Sequence, residues 1–111
     1  MELTNDAEYL AIAFYKVYKD RLKNDYSKPQ SKYFHDAEVV HKEHFSELKF
    51  EDFMDSIREL SRNEYVKCAW ASNIFAEMLL TDKLIYDMEN RFKNNFDEVL
   101  ERLTKLKKLI I

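Results

Sequence analysis

The chain has 111 residues, of which 46% are hydrophobic and 35% charged, and its formal net charge is -3. That length accommodates one domain, residues 1–111, with a real core, and seven Tyr with eight Phe make the chain too apolar and aromatic for a disordered one. With no Gly it can build neither a P-loop nor a Gly-rich dinucleotide loop, since both need backbone that approaches phosphate closely, and its single Cys allows no intrachain disulfide.

The first residues, Met1 to Asp6, are acidic and carry no basic stretch ahead of an apolar run, so no signal peptide is expected there. No apolar run approaches the roughly 18 residues of a spanning helix, so the expectation is a cytoplasmic protein without membrane contact. Asn5 and Glu8 read as a variant of the capping box. Leu10, Phe14, Val17 and Arg21, with Ala11, Tyr18 and Leu22, trace an apolar face at helical spacing and predict a helix over about 5–24. Asn24 to Ser27 reads as a turn. Pro29 suits the first turn of a helix, where its missing N–H costs nothing, and predicts a short helix over about 29–34. A second short helix is expected over 36–45.

Phe50, Phe53, Met54, Ile57 and Leu60 recur at i, i+3, i+4, i+7 and i+10, which predicts a strongly amphipathic helix over about 50–62. Asn63 tolerates left-handed backbone better than most residues and is the expected helix terminator. Tyr65–Ala71 alternates, with Val66, Cys68 and Trp70 on one face, and Phe75–Leu80 is its expected antiparallel partner across a tip at Ser72-Asn73. Thr81 is a good N-cap for a helix over about 82–93. After Asn94-Asn95, the residues Phe96, Val99, Leu103, Leu106 and Ile110 form an a/d seam on a helix over about 95–110. The seam can pack on the first helix of its own chain or pair across a two-fold axis, and a homodimer is the favoured expectation.

Helix, strand, tip, strand and helix follow one another between Leu60 and Phe92. With Leu60, Tyr65-Val66, Leu80-Thr81-Asp82-Lys83, Tyr86, Glu89-Asn90 and a Lys-rich terminal helix, this half of the chain resembles the winged helix-turn-helix superfamily, and within it the small bacterial YjcQ-like proteins. The resemblance implies a mainly α fold with a small β-hairpin, the wing, at about 65–80 and an additional C-terminal helix. It also implies a DNA-binding function, as a transcription regulator or mobile-element accessory factor, with the 50–62 helix at the recognition position.

The charges bear on that expectation. Groove-reading helices carry basic and amide side chains toward phosphates and base edges. The outward set expected here is Asp52, Asp55, Ser56, Glu59, Arg62 and Asn63, three of them acidic. Residues 16–32 hold six basic and two acidic side chains, whereas 36–64 hold nine acidic and four basic. Duplex contact would therefore have to come from Lys23, Lys28 and Lys32 around the second helix and from Lys67, Ser72 and Asn73 on the wing. The alternative is a winged-helix adaptor that binds a protein partner through its acidic, aromatic surface. A contiguous basic face beside the wing favours DNA, and a mixed or acidic face favours protein.

No catalytic or metal centre is expected. His41 and His44, with His35, Glu38 and Glu47 nearby, lack both the HExxH spacing and a thiolate. Cys68 reads as a small buried hydrophobe, Trp70 as a core or interface aromatic, and no nucleophile stands beside a base. The chain is expected to be a non-enzyme without cofactor.

Overall fold

The computed structural model describes residues 2–111. Its elements are α1 (Asn5–Lys23), α2 (Lys28–Lys32), β1 (Tyr33–Phe34), α3 (Ala37–His44), α4 (Phe50–Arg62), β2 (Val66–Ala71), β3 (Ile74–Leu80), α5 (Asp82–Phe92) and α6 (Phe96–Ile110). Among the described residues the fold is thus mainly helical with a small antiparallel sheet in the order β1-β3-β2. None of these helices is long and apolar enough to cross a membrane.

α1 is capped by Thr4, whose side chain accepts from the Ala7 N–H. Asn5, the expected cap, is already the first helical residue, and Glu8 turns away to bind Arg91 and Arg102. The full capping box occurs instead at α2, where Ser27 and Gln30 bond reciprocally just ahead of and after Pro29. α2 ends at Lys32, earlier than the Pro29 periodicity suggests. The next two residues extend as β1 and pair Tyr33 with Leu79 and Phe34 with Met78. Phe34 becomes fully buried against Phe14, and Arg21 donates to the carbonyls of Ser31 and Tyr33 while its guanidinium stacks 4.3 Å from the Phe34 ring. Such a short strand has no periodicity of its own. It exists because β3 offers it an edge and α1 offers it a buried slot.

α4 follows its sequence pattern. Phe53, Met54, Ile57 and Leu60 are all buried, each contributing about 1.5–3 kcal/mol relative to exposure. Ser56 is buried too, contrary to the outward position expected for it, because the covered stripe is wider than a strict seam. The helix ends at Asn63, but Asn63 keeps an ordinary φ of -89°, and the left-handed turn falls one residue later, on Glu64 at φ 63°. The Tyr65 N–H closes that end onto the Leu60 carbonyl.

β2 and β3 form the expected hairpin, from Val66 opposite Leu80 to Ala71 opposite Ile74. Its two-residue tip has Ser72 at φ 62°, where hairpin twist calls for a positive φ. The register slips by one between the pairs Ala69–Glu77 and Trp70–Phe75, which leaves Ala76 as the extra residue and breaks the alternation of β3. Val66 faces the core and Cys68 is half-buried. Trp70 lies opposite the buried Phe75 and so keeps the face expected for it, but it stands one pair from the hairpin tip and is 44% exposed. Thr81 caps α5 as expected, accepting from the Leu84 N–H.

α6 closes the core. Val99 and Leu106 are buried, Leu103 and Ile110 are partly buried against the same core, Phe96 is half-buried, and the helix packs mainly on α1. The seam is therefore covered within the chain. Leu100, Leu109 and Ile111 are the large apolar residues this end leaves exposed.

Candidate functional site

The solvent face of α4 presents Glu51, Asp52 and Asp55. Arg58 lies in the same region but is engaged: it donates to Asp55 at 3.0 Å and to the backbone carbonyl of Asn73 at 2.9 Å, fastening α4 to the hairpin tip. Glu59 accepts from both the N–H and the hydroxyl of Thr4, each at 2.8 Å, and so ties α4 to the start of α1. Thr4, Asp6, Asp52, Asp55, Glu59, Arg58 and Arg62 line a shallow groove of about 370 Å³. Partial burial raises the pKa of Asp6, and the charges of Asp52 and Glu59 add to the rise. The field in this groove favours cations.

The expected basic set does not assemble into one surface. Lys32 is held by Asp82 at 2.6 Å, a contact that lowers the Asp82 pKa. Lys28 is exposed at the first residue of α2. Lys67 is exposed on the outer face of β2, opposite Leu79, which in turn faces Tyr33. That row lies at the open end of the hairpin, whereas Ser72 and Asn73 sit at its tip, beside Arg58. Lys23, at the end of α1, extends over the Phe96 ring at 5.0 Å, toward α6 rather than toward the hairpin. The face beside the hairpin tip is consequently mixed and predominantly acidic.

The remaining polar candidates have structural partners. The His41 Nε2 lies 2.7 Å from the Leu48 carbonyl, and its ring packs against Phe50 and Phe53. His44 packs on Phe34 and Phe45, and burial lowers its pKa. Among the described residues no three His, Cys, Asp or Glu side chains converge as a metal site. Burial pushes the Cys68 thiol up to about 11, which makes it a poor nucleophile at neutral pH. The Tyr65 hydroxyl donates to Asp87 at 2.7 Å, and burial with that bond raises its pKa to about 12.

Two arrangements escape the sequence reading. One is Glu8 between Arg91 and Arg102, which joins α1 to α5 and α6. The other is a cavity of about 230 Å³ lined by Tyr15, Lys16, Lys19, Lys23, Phe92, Asn94, Phe96 and Val99. The spacing of Lys16, Lys19 and Lys23 at i, i+3 and i+7 could have marked one face of α1. Nothing local indicated that Phe92 and Phe96 would come to rest against it. Comparison with protein-family models, curated proteins and solved structures finds no match to this chain.

Proposed function

We propose that the chain is a winged helix-turn-helix domain acting as a protein-interaction module, whose α4 and hairpin tip receive a basic segment of a partner. The fold reading is supported by the element order α1, α2, β1, α3, α4, β2, β3 with the sheet order β1-β3-β2; on this reading α3 and α4 correspond to the helix-turn-helix and the β2–β3 hairpin to the wing. The observation that carries the functional reading is the exposed surface of α4. Glu51, Asp52 and Asp55 point to solvent, and Arg58 is occupied by Asp55 and Asn73. Phosphates would be repelled where a groove-reading helix needs attraction, while a Lys- or Arg-rich segment would be drawn in.

A second reading, duplex DNA bound away from α4, is favoured by Lys28 and Lys67, which are exposed and have no ion pair among the described residues. A salt titration separates the two. In a gel-shift series with random-sequence duplex, the module reading expects no retardation at low salt. It also expects a Lys/Arg-rich peptide to bind, with affinity that falls as salt rises and falls again in Asp52→Asn and Asp55→Asn. Retardation of the duplex by the wild-type chain, weakening with salt, would establish the DNA reading in its place.

A further inference from the structure

The cavity between α1 and the α5–α6 junction lies apart from the α4 face and has a different chemistry. Its walls are aromatic. Tyr15 and Phe92 stack with ring centroids 6.5 Å apart and planes 15° from parallel, Phe96 stands at the mouth, and the buried Val99 lies behind. Consecutive left-handed residues, Lys93 and Asn94, turn the chain so that Phe92 and Phe96 both reach this space.

The mouth is cationic. Lys16 is paired with Asp20 at 2.8 Å, and Lys19 lies 3.4 Å from Glu89 and 3.3 Å from the Asn94 side-chain oxygen. Lys23 has no carboxylate partner among the described residues, and its ammonium is 5.0 Å from the centre of the Phe96 ring. Lys16 approaches the same ring at 5.6 Å. Three ammonium groups against two carboxylates leave one positive charge uncompensated at the rim of an apolar space. The first turn of α6 contains Asp97 and Glu98, but neither lines the cavity.

The geometry points to this cavity as a binding site for a small aromatic monocarboxylate, its ring between Tyr15–Phe92 and Phe96 and its carboxylate on Lys23. The volume lies below the usual range for drug-sized ligands, which limits the occupant to one ring system with a short acidic arm. Flat walls favour a ring over a flexible chain, because stacking on aromatic faces adds to area burial. A single negative charge matches the single uncompensated lysine, and a charge-assisted hydrogen bond is the stronger kind.

The test is a titration of the full chain, followed by amide ¹H–¹⁵N correlation spectra, with indole-3-acetate, indole and octanoate as probes. Indole-3-acetate is expected to shift the amides of Lys19, Lys23, Asn94 and Phe96 and to bind about tenfold more tightly than indole, the value of one charge-assisted contact. Lys23→Gln and Lys23→Glu are expected to remove that advantage with only a small fall in melting temperature, larger for Glu, since Lys23 is exposed but lies in the last turn of α1 and over the Phe96 ring. Absence of shifts at these amides, equal affinity for indole, tighter binding of octanoate, or full affinity in both Lys23 variants would each overturn the assignment.

Discussion

Glu8 and Arg102 are 94 positions apart, yet they meet in a two-pronged pair, Nε to Oε2 at 3.1 Å and Nη2 to Oε1 at 3.0 Å. Arg91 bonds the same carboxylate from α5. One side chain near the start of the chain thereby holds α5 and α6 against α1. The Glu8 side chain is only 12% accessible, while those of Arg102 and Arg91 are 37% and 31% accessible, so solvent screens the cluster in part. Burial alone would raise the Glu8 pKa, but the hydrogen bonds and charges of Arg102 and Arg91 outweigh it and the net shift is downward.

Replacing Glu8 with Ala removes this cluster and should cost about 1 kcal/mol, since the two guanidinium groups are partly solvated and recover hydration. The sign of the pH effect follows from the depressed folded-state pKa. The contribution is complete above the ordinary carboxylate value of 4.5 and disappears as pH falls through the lower folded value. Urea midpoints at pH 7 and in the acid range, for wild type and Glu8→Ala, should differ widely at pH 7 and converge in acid. A constant gap would show that the charge plays no part.

The α6 seam gives a sharper contrast. Leu106 is 0% exposed and Leu109 is 65% exposed, three residues apart on one helix. Leu106→Ala should destabilise the chain by about 3 kcal/mol, a transfer loss plus a cavity. Leu109→Ala should stay within about 0.5 kcal/mol. Because α1 covers the seam, sedimentation should find a monomer. A concentration-dependent dimer in which Leu109→Ala is disruptive would restore the two-fold expectation.

A chain without Gly places its left-handed turns on other residues: Asp25, Glu64, Ser72, Lys93 and Asn94. Asp and Asn bear this at modest cost. Glu64 and Lys93 gain nothing from it. Glu64→Gly and Lys93→Gly should each stabilise by about 0.5–1 kcal/mol, the relief of strain exceeding the added freedom of the unfolded chain. Differential scanning calorimetry would check this, and a lowered melting temperature in both would count against the turn geometry.

Cys68 offers a reactivity prediction. With the thiol pushed up to about 11 by burial, its thiolate is scarce at pH 8. An aromatic disulfide reagent should react about a hundredfold more slowly with the folded chain than with the chain in denaturant. Equal rates would mean that β2 opens readily.

Charge reversal tests the α4 face. Asp55→Lys should introduce weak, salt-sensitive retardation of duplex DNA where the wild-type chain shows none. If the wild-type chain does retard DNA, and Lys28→Ala or Lys67→Ala each lowers the salt slope by about one, the duplex lies on a different surface and the module reading fails.

The elements with strong local signals were legible before any tertiary contact was known. The Phe50–Leu60 stripe specified α4 because period 3.6 is written into side-chain spacing. Thr81 marked the start of α5 because an N-cap is a local hydrogen bond. The acidity of α4 is composition on a helical grid and needed no coordinates. What required the tertiary structure has a common physical cause, namely partners distant in sequence. β1 is two residues that extend only because β3 lies alongside. Trp70 keeps the face its alternation assigns, yet it is 44% exposed because it pairs beside the hairpin tip, where the core ends. Glu8 is taken by two arginines; Lys32 is taken by Asp82, Lys23 meets Phe96, and Ser72 and Asn73 sit at the hairpin tip, so the expected basic set is not gathered on one surface. Periodicity determines which face of an element is buried, but the choice of neighbour, and with it which charges are neutralised and which remain available, is made only when the elements pack.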